Sequence, residues 1–254
     1  MIKLNVKSAG YPQKEVLNGI SICFEKGKLT SIIGPNGCGK STLLKTALGI
    51  IPCLEGEISV NDENIIRLKR KETAKRIAYL AQGKNVPDMT VGQMVLHGRF
   101  PHLSYPRRYS ANDVDIAHAA MKRVGISELA DRPMLSLSGG MRQNAYIAMA
   151  LAQDTEYILL DEPTTYLDIS HQLKLMKILR ELADSEKGIV AVMHDIPLAL
   201  TFSDSIVIMN GGRIVSDGSP IKICSSNIIK DIFGVELSFE NGEYYYKLAG
   251  RPEV

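Results

Sequence analysis

A chain of 254 residues has room for one large α/β domain, or for a core carrying a subdomain. Hydrophobic residues make up 45%, which excludes a disordered chain, and a net charge of +2 makes no general case for nucleic-acid binding. No window approaches the roughly 18 to 20 apolar residues of a membrane helix, and the opening MIKLNVKSAG reads as an alternating strand, not a signal peptide.

Alternating apolar residues predict strands over Ile2–Val6, Ile20–Phe24 and Leu29–Ile33. The third feeds into a glycine loop, and STLLKTALGI continues as a helix, so Lys40 and Ser41 lie where strand, loop and helix N-terminus meet. Glu57–Val60 and Ile77–Ala81 are further strands. The basic run Arg67–Arg76 reads as a solvated helix face, with contact to membrane headgroups or nucleic acid as the alternative. From Gly83 to Asp154 strand-like runs vanish and helical periodicity takes over at Val91–His97, Ala111–Val124 and Gly140–Ala152. Tyr157–Leu160, Gly188–Met193 and Ser205–Met209 are apolar and bounded by turns, as buried strands are. A hairpin at Asn210–Arg213, a short helix around Asn227–Phe233 and a β-rich tail complete the chain.

The cysteines (Cys23, Cys38, Cys53, Cys224) lack metal-ligand spacing and read as reduced structural thiols. His97, His102, His118 and His171 are dispersed, so no metal site of the chain's own is expected. Met141 and Met149 read as packing residues.

GPNGCGKS fits the phosphate-loop pattern. Gly34, Gly37 and Gly39 let backbone N–H groups converge on phosphate, and the following helix N-terminus adds partial positive charge. Lys40 is expected to bridge the β- and γ-phosphates and Ser41 to ligate Mg²⁺. In YILLDEP, a buried strand ends in two acids. Asp161 is placed to hold Mg²⁺ through water and Glu162 to polarise the attacking water; a plain strand-to-turn exit is the bland alternative. LSGGM supplies Ser138, Gly139 and Gly140 at the start of a helix, again suited to a γ-phosphate. Two phosphate sites roughly a hundred residues apart do not easily share one nucleotide within a compact monomer. A dimer in which each chain caps the other's ATP resolves this.

Taken together, these segments resemble the ATP-binding cassette (ABC) family over nearly the whole length. The stretch Gly34, Pro35, Asn36, Gly37, Cys38, Gly39, Lys40, Ser41, Thr42 is similar to the Walker A loop, Leu137–Met141 to the family signature and Asp161–Glu162 to the Walker B pair. By the same resemblance Gln82 touches Mg²⁺ and the lytic water, and Tyr166–Asp168 crosses a dimer interface. His194 is the switch histidine near the γ-phosphate, and Tyr11 stacks on adenine. Met141 departs from the usual glutamine, so a polar contact to the ribose is expected to be missing. TTYLDISHQ (Thr164–Gln172), HGRFPH (His97–His102), and IFGV and GRP near the end resemble importers of ferric siderophores, haem or cobalamin.

The resemblance implies an α/β fold: a P-loop NTPase core with an N-terminal antiparallel β-subdomain (1–82 and 154–220), an inserted α-helical signature subdomain (83–153) and a C-terminal tail (221–254), together one nucleotide-binding domain. It implies ATP and Mg²⁺ as cofactors and a head-to-tail dimer with a second copy. Transmembrane permease subunits would press a short helix near Gln82, with Arg99–His102 as part of the seat, and a periplasmic or lipoprotein substrate-binding protein would act indirectly. Nucleic acid is not an expected partner, and the protein is placed peripherally on the cytoplasmic side of the membrane. An ABC ATPase for another small molecule, or a soluble one in macromolecular assembly, remains the alternative.

Overall fold

The computed structural model describes residues 1–82, 86–165 and 167–247. In chain order come β1 (Ile2–Tyr11), β2 (Lys14–Phe24), β3 (Leu29–Ile33), α1 (Lys40–Ala47), β4 (Cys53–Val60), β5 (Glu63–Asn64), α2 (Arg70–Arg76) and β6 (Ile77–Leu80). Then follow α3 (Val91–Leu96), α4 (Ala111–Arg123), α5 (Gly139–Ala152), β7 (Tyr157–Asp161), α6 (Ile169–Asp184), β8 (Gly188–Val192) and α7 (Ile196–Phe202). The chain finishes with β9 (Ser205–Asn210), β10 (Arg213–Gly218), α8 (Pro220–Cys224), α9 (Ile228–Phe233), β11 (Glu236–Glu240) and β12 (Glu243–Lys247).

The antiparallel sheet runs β2-β1-β4-β5, and a six-stranded sheet runs β10-β9-β3-β8-β7-β6. In the second sheet β9, β3, β8, β7 and β6 are parallel and only β10 is antiparallel, at the edge. Every residue of β3, β7 and β8 is buried, which explains their unbroken apolar runs. One core joins Leu4 and Val6 of β1 to Leu43 and Leu44 of α1 and to Ile32, Leu159 and Val190 of the larger sheet. The other joins α3, α4 and α5 through Val95, Met121 and Ile147 to Leu160, Leu179 and Ile208 on the opposite face. The P-loop strand–loop–helix therefore sits between two packed layers.

The predicted strands and helices are present, all but Leu29–Ile33 with shifted ends. β1 and β2 run well past Val6 and start well before Ile20, because hairpin pairing (Ser8 with Asn18, Gly10 with Glu15) carries them beyond the apolar alternation. Helices α6, α7 and α8 are additional to the predicted elements, although α6 buries Leu175, Leu179 and Leu182 at helical spacing. Met141 is a correction: at 44% exposure it faces solvent in the first turn of α5, whose buried positions begin at Ala145. Of the basic run, Arg67, Lys69, Arg70 and Lys71 are exposed, while Arg76 pairs with Glu63. Burial pushes the Cys38 thiol above its ordinary value despite the nearby Lys40 ammonium, in keeping with a reduced, inert thiol.

Arg99 is a second correction. Expected on an open seat, it is only 6% exposed. Its Nε donates to Asp113 Oδ1 at 2.9 Å and its Nη1 to the Ala152 carbonyl at 3.0 Å, so it ties the start of α4 to the end of α5. Asp113 closes a capping box with Ser110, accepting from the Ser110 amide at 2.9 Å. Those Ser110 hydrogen bonds first, and then Arg99, hold the Asp113 carboxyl down at about 2. Its stabilising contribution is present above the unfolded-state value near 3.9 and is lost as pH falls toward 2. Removing one member of such a buried pair costs about 3–5 kcal/mol. Asp113→Asn is therefore expected to lower urea stability by about that much at pH 7. The gap from the native chain should narrow in unfolding curves taken from pH 4 downward.

Candidate functional site

The glycine loop between β3 and α1 is shaped by close packing as much as by backbone freedom. A Cβ on Gly34 would lie 2.3 Å from the Met209 carbonyl at the end of β9 and 2.8 Å from Cys38 Sγ. Gly39 is the N-cap of α1 in a left-handed conformation (φ 106), which a side chain resists. A Cβ on Gly37 would meet nothing within 4 Å, so that part of the loop faces open space. Lys40, 5% exposed, turns back into the loop, and its Nζ donates to the carbonyls of Gly34 at 2.8 Å and Pro35 at 3.0 Å.

Across the sheet, β7 delivers the two acids. Asp161, 3% exposed, accepts from Ser41 Oγ on Oδ1 at 2.8 Å and from the Tyr79 hydroxyl on Oδ2 at 3.2 Å. Burial, and then the Asp161 charge, push the Tyr79 phenol well above its ordinary value, so it is a neutral donor. Glu162 leaves the strand with φ 55, a left-handed conformation that costs a non-glycine residue about 1–3 kcal/mol. Its carboxylate is held from three sides. Gln82 Nε2 donates to Oε2, Thr165 Oγ1 lies 3.2 Å from the same oxygen, and His194 Nε2 lies 2.7 Å from Oε1.

These groups converge on one cavity of about 410 Å³, in the range of small-molecule sites. Asn36, Gly37, Gly39, Lys40, Ser41 and Thr42 line one side; Gln82, Glu162 and His194 line the other. Asp161 sits behind Ser41. Side by side, a hydroxyl and a carboxylate oxygen form a donor set that suits a hard divalent cation completed by phosphate oxygens. Gly34, Pro35 and Cys38 form the loop behind the lining. Tyr11, 46% exposed, ends β1 and does not line the cavity; Val16 on β2 does. Ser138 and Gly139 are exposed, Gly140 is half-buried, and none of the three lines the cavity. Ser138 caps α5, its Oγ accepting from the Met141 amide at 3.3 Å. From that helix, Gln143 Nε2 reaches the Pro163 carbonyl beside Glu162 at 2.9 Å. Tyr166 lies outside the described residues. Tyr79 and Thr165 escaped the sequence reading: only the Glu162–Pro163–Thr164–Thr165 turn signal pointed to the second, and nothing to the first.

Comparison with known proteins points the same way. The sequence profile described as ABC transporter matches residues 17–165. The chain is 40% identical over 230 residues to the iron(3+)-hydroxamate import ATP-binding protein FhuC of Bacillus subtilis, covering 89% of this chain and 85% of that one. It is 42% identical over 229 residues to the ferric enterobactin transport ATP-binding protein FepC of Escherichia coli, covering 89% and 84%. Among solved structures, the dimeric bacterial ABC transporter cassette MJ0796 superposes with a TM-score of 0.76 at 28% identity, covering 87% of this chain and 99% of that one. With the phosphate loop, the paired acids and the fold in agreement, the chain belongs to the ABC transporter family.

Proposed function

We propose that the chain is the ATP-hydrolysing subunit that powers import of an iron chelate, such as a ferric siderophore, haem or the related cobalamin, through a membrane ABC transporter. The observation that carries this reading is the convergence of Lys40, Ser41, Gln82, Glu162 and His194 on one cavity. The relatives that are import ATP-binding proteins support the cargo class.

Backbone N–H groups of the loop and Lys40 bind the phosphates of ATP, and Tyr11 stands ready for the adenine from the end of β1. Ser41 and Asp161, with Gln82 beside them, would hold Mg²⁺, and the ion would offset phosphate charge there. Glu162, oriented by Gln82 and His194, accepts the proton of the attacking water. His194, which lines the cavity beside Glu162, would face the terminal phosphate. Ser138, Gly139 and Gly140 lie outside the cavity and stay accessible, which supports their use on the ATP of a second copy in a head-to-tail dimer. Residues 83–153 would act as the unit presenting that signature, residues 1–82 and 154–220 as the nucleotide-binding core, and residues 221–254 as a tail.

With Arg99 buried, the permease seat moves to the neighbouring groove of about 380 Å³ lined by Leu48, Ile50, Arg70, Thr73, Ala74 and Gln153. Ile50, 61% exposed, offers it apolar surface. Docked there, the chain is peripheral on the cytoplasmic face of the membrane; no helix among the described residues is long and apolar enough to cross it.

Glu162→Gln should cut ATP turnover by about 10² to 10⁴, the loss expected of a missing general base, while ATP still drives dimerisation in size-exclusion runs. Near-normal hydrolysis would remove the assigned role. Ser138→Arg should leave ATP binding to the monomer intact and abolish ATP-dependent dimer formation and hydrolysis. Uptake of labelled ferric siderophore, haem and cobalamin in cells lacking the gene tests the cargo. Loss of one, restored by the native chain and not by Glu162→Gln, is the expected result; unchanged uptake of all three refutes the iron-chelate class.

A further inference from the structure

Tyr79 belongs to two features of the molecule at once. Tyr79 lines the groove shared by Ile50, Arg70, Thr73 and Ala74. Its hydroxyl donates to Asp161 Oδ2 at 3.2 Å. The other Asp161 oxygen accepts from Ser41 Oγ at 2.8 Å. Strand register explains why a tyrosine reaches so far. Tyr79 on β6 pairs with Leu159 on β7, two residues before Asp161, and in a parallel sheet residues two apart point to the same face. The offset is about 7 Å along the strand, a span that a tyrosine covers and a shorter side chain does not.

A carboxylate tied at only one oxygen can still turn about its last bond. Asp161, tied at both, is fixed with Oδ1 toward Ser41. We propose that Tyr79 is a positioning residue for the Mg²⁺ site: its hydroxyl locks the orientation of Asp161, and its ring makes that orientation respond to what fills the groove. This rests on the reading of the cavity as an ATP–Mg²⁺ site. Tyrosine at this position thus connects the groove wall to the cation-binding carboxylate through one side chain, with no movement of either strand required. Phenylalanine would keep the wall and release the carboxylate.

The test compares native chain and Tyr79→Phe for ATP binding in EDTA and across a Mg²⁺ titration, by calorimetry, alongside turnover over the same titration. Loss of a partner that orients a metal ligand costs 10- to 100-fold in metal affinity. The phenol is expected to account for about tenfold in the Mg²⁺ concentration giving half-maximal binding and turnover. Binding in EDTA and the rate at saturating Mg²⁺ should stay at native values. Ala74→Trp, which fills the groove from α2, should shift the Mg²⁺ half-point in the native background and add nothing in Tyr79→Phe. Native Mg²⁺ dependence in Tyr79→Phe, even with a lowered melting temperature, would assign the tyrosine to packing alone and overturn the proposal. Equal effects of Ala74→Trp in both backgrounds would overturn the link to the groove. A native chain that shows no Mg²⁺-dependent ATP turnover would instead remove the functional reading, and this proposal with it.

Discussion

A single hydrogen bond, from Ser41 to Asp161, joins residues 120 positions apart and sets the geometry on which the cavity depends. It forms only if the first turn of α1 and the end of β7 arrive at the same edge of the sheet. Parallel register through β8 ensures that, pairing Ile32 with Val192 and Val192 in turn with Asp161. All of these strands are buried on both faces, so slipping any one by a residue would turn apolar side chains into the wrong layer. The position of the cavity's polar groups is thus enforced by two hydrophobic cores that contain none of them.

The polar groups follow a complementary logic. Lys40 and Asp161 are almost fully buried, and each has its hydrogen bonds: Lys40 to loop carbonyls, Asp161 to two hydroxyls. Buried charge without such partners would cost several kcal/mol, roughly the margin by which a domain is stable. Glu162 is different. It lies at the cavity surface, and its donors Gln82 and His194 sit on segments that follow β6 and β8, at the two sides of β7. The Glu162 carboxylate is therefore gripped by its neighbours at the sheet edge, independently of the buried Lys40 and Asp161 beneath it.

Much of this was legible in the sequence because the decisive signals were local. Leu29–Ile33, the glycine loop and the following helix are contiguous, and the structure reproduces that strand residue for residue. The two acids at the end of an apolar run likewise declared themselves. What escaped depended on partners distant in sequence. Arg99 reads as part of a permease seat, since nothing in HGRFPH reveals that Asp113 and the Ala152 carbonyl enclose it. Tyr79 passed for an ordinary strand residue, because its contact with Asp161 exists only once β6 and β7 are in register. Met141 differs for the opposite reason: an apolar residue in a helix suggests burial, but its turn precedes the packed part of α5.

The left-handed backbone at Glu162 carries a cost of a different kind. Glycine or asparagine would relieve it, and a random search for more stable variants would favour them there. A glutamate kept in that conformation marks a position where folding and chemistry pull in opposite directions. On the role proposed for Glu162, screens that select this protein by thermal stability alone would enrich well-folded chains that no longer turn over ATP.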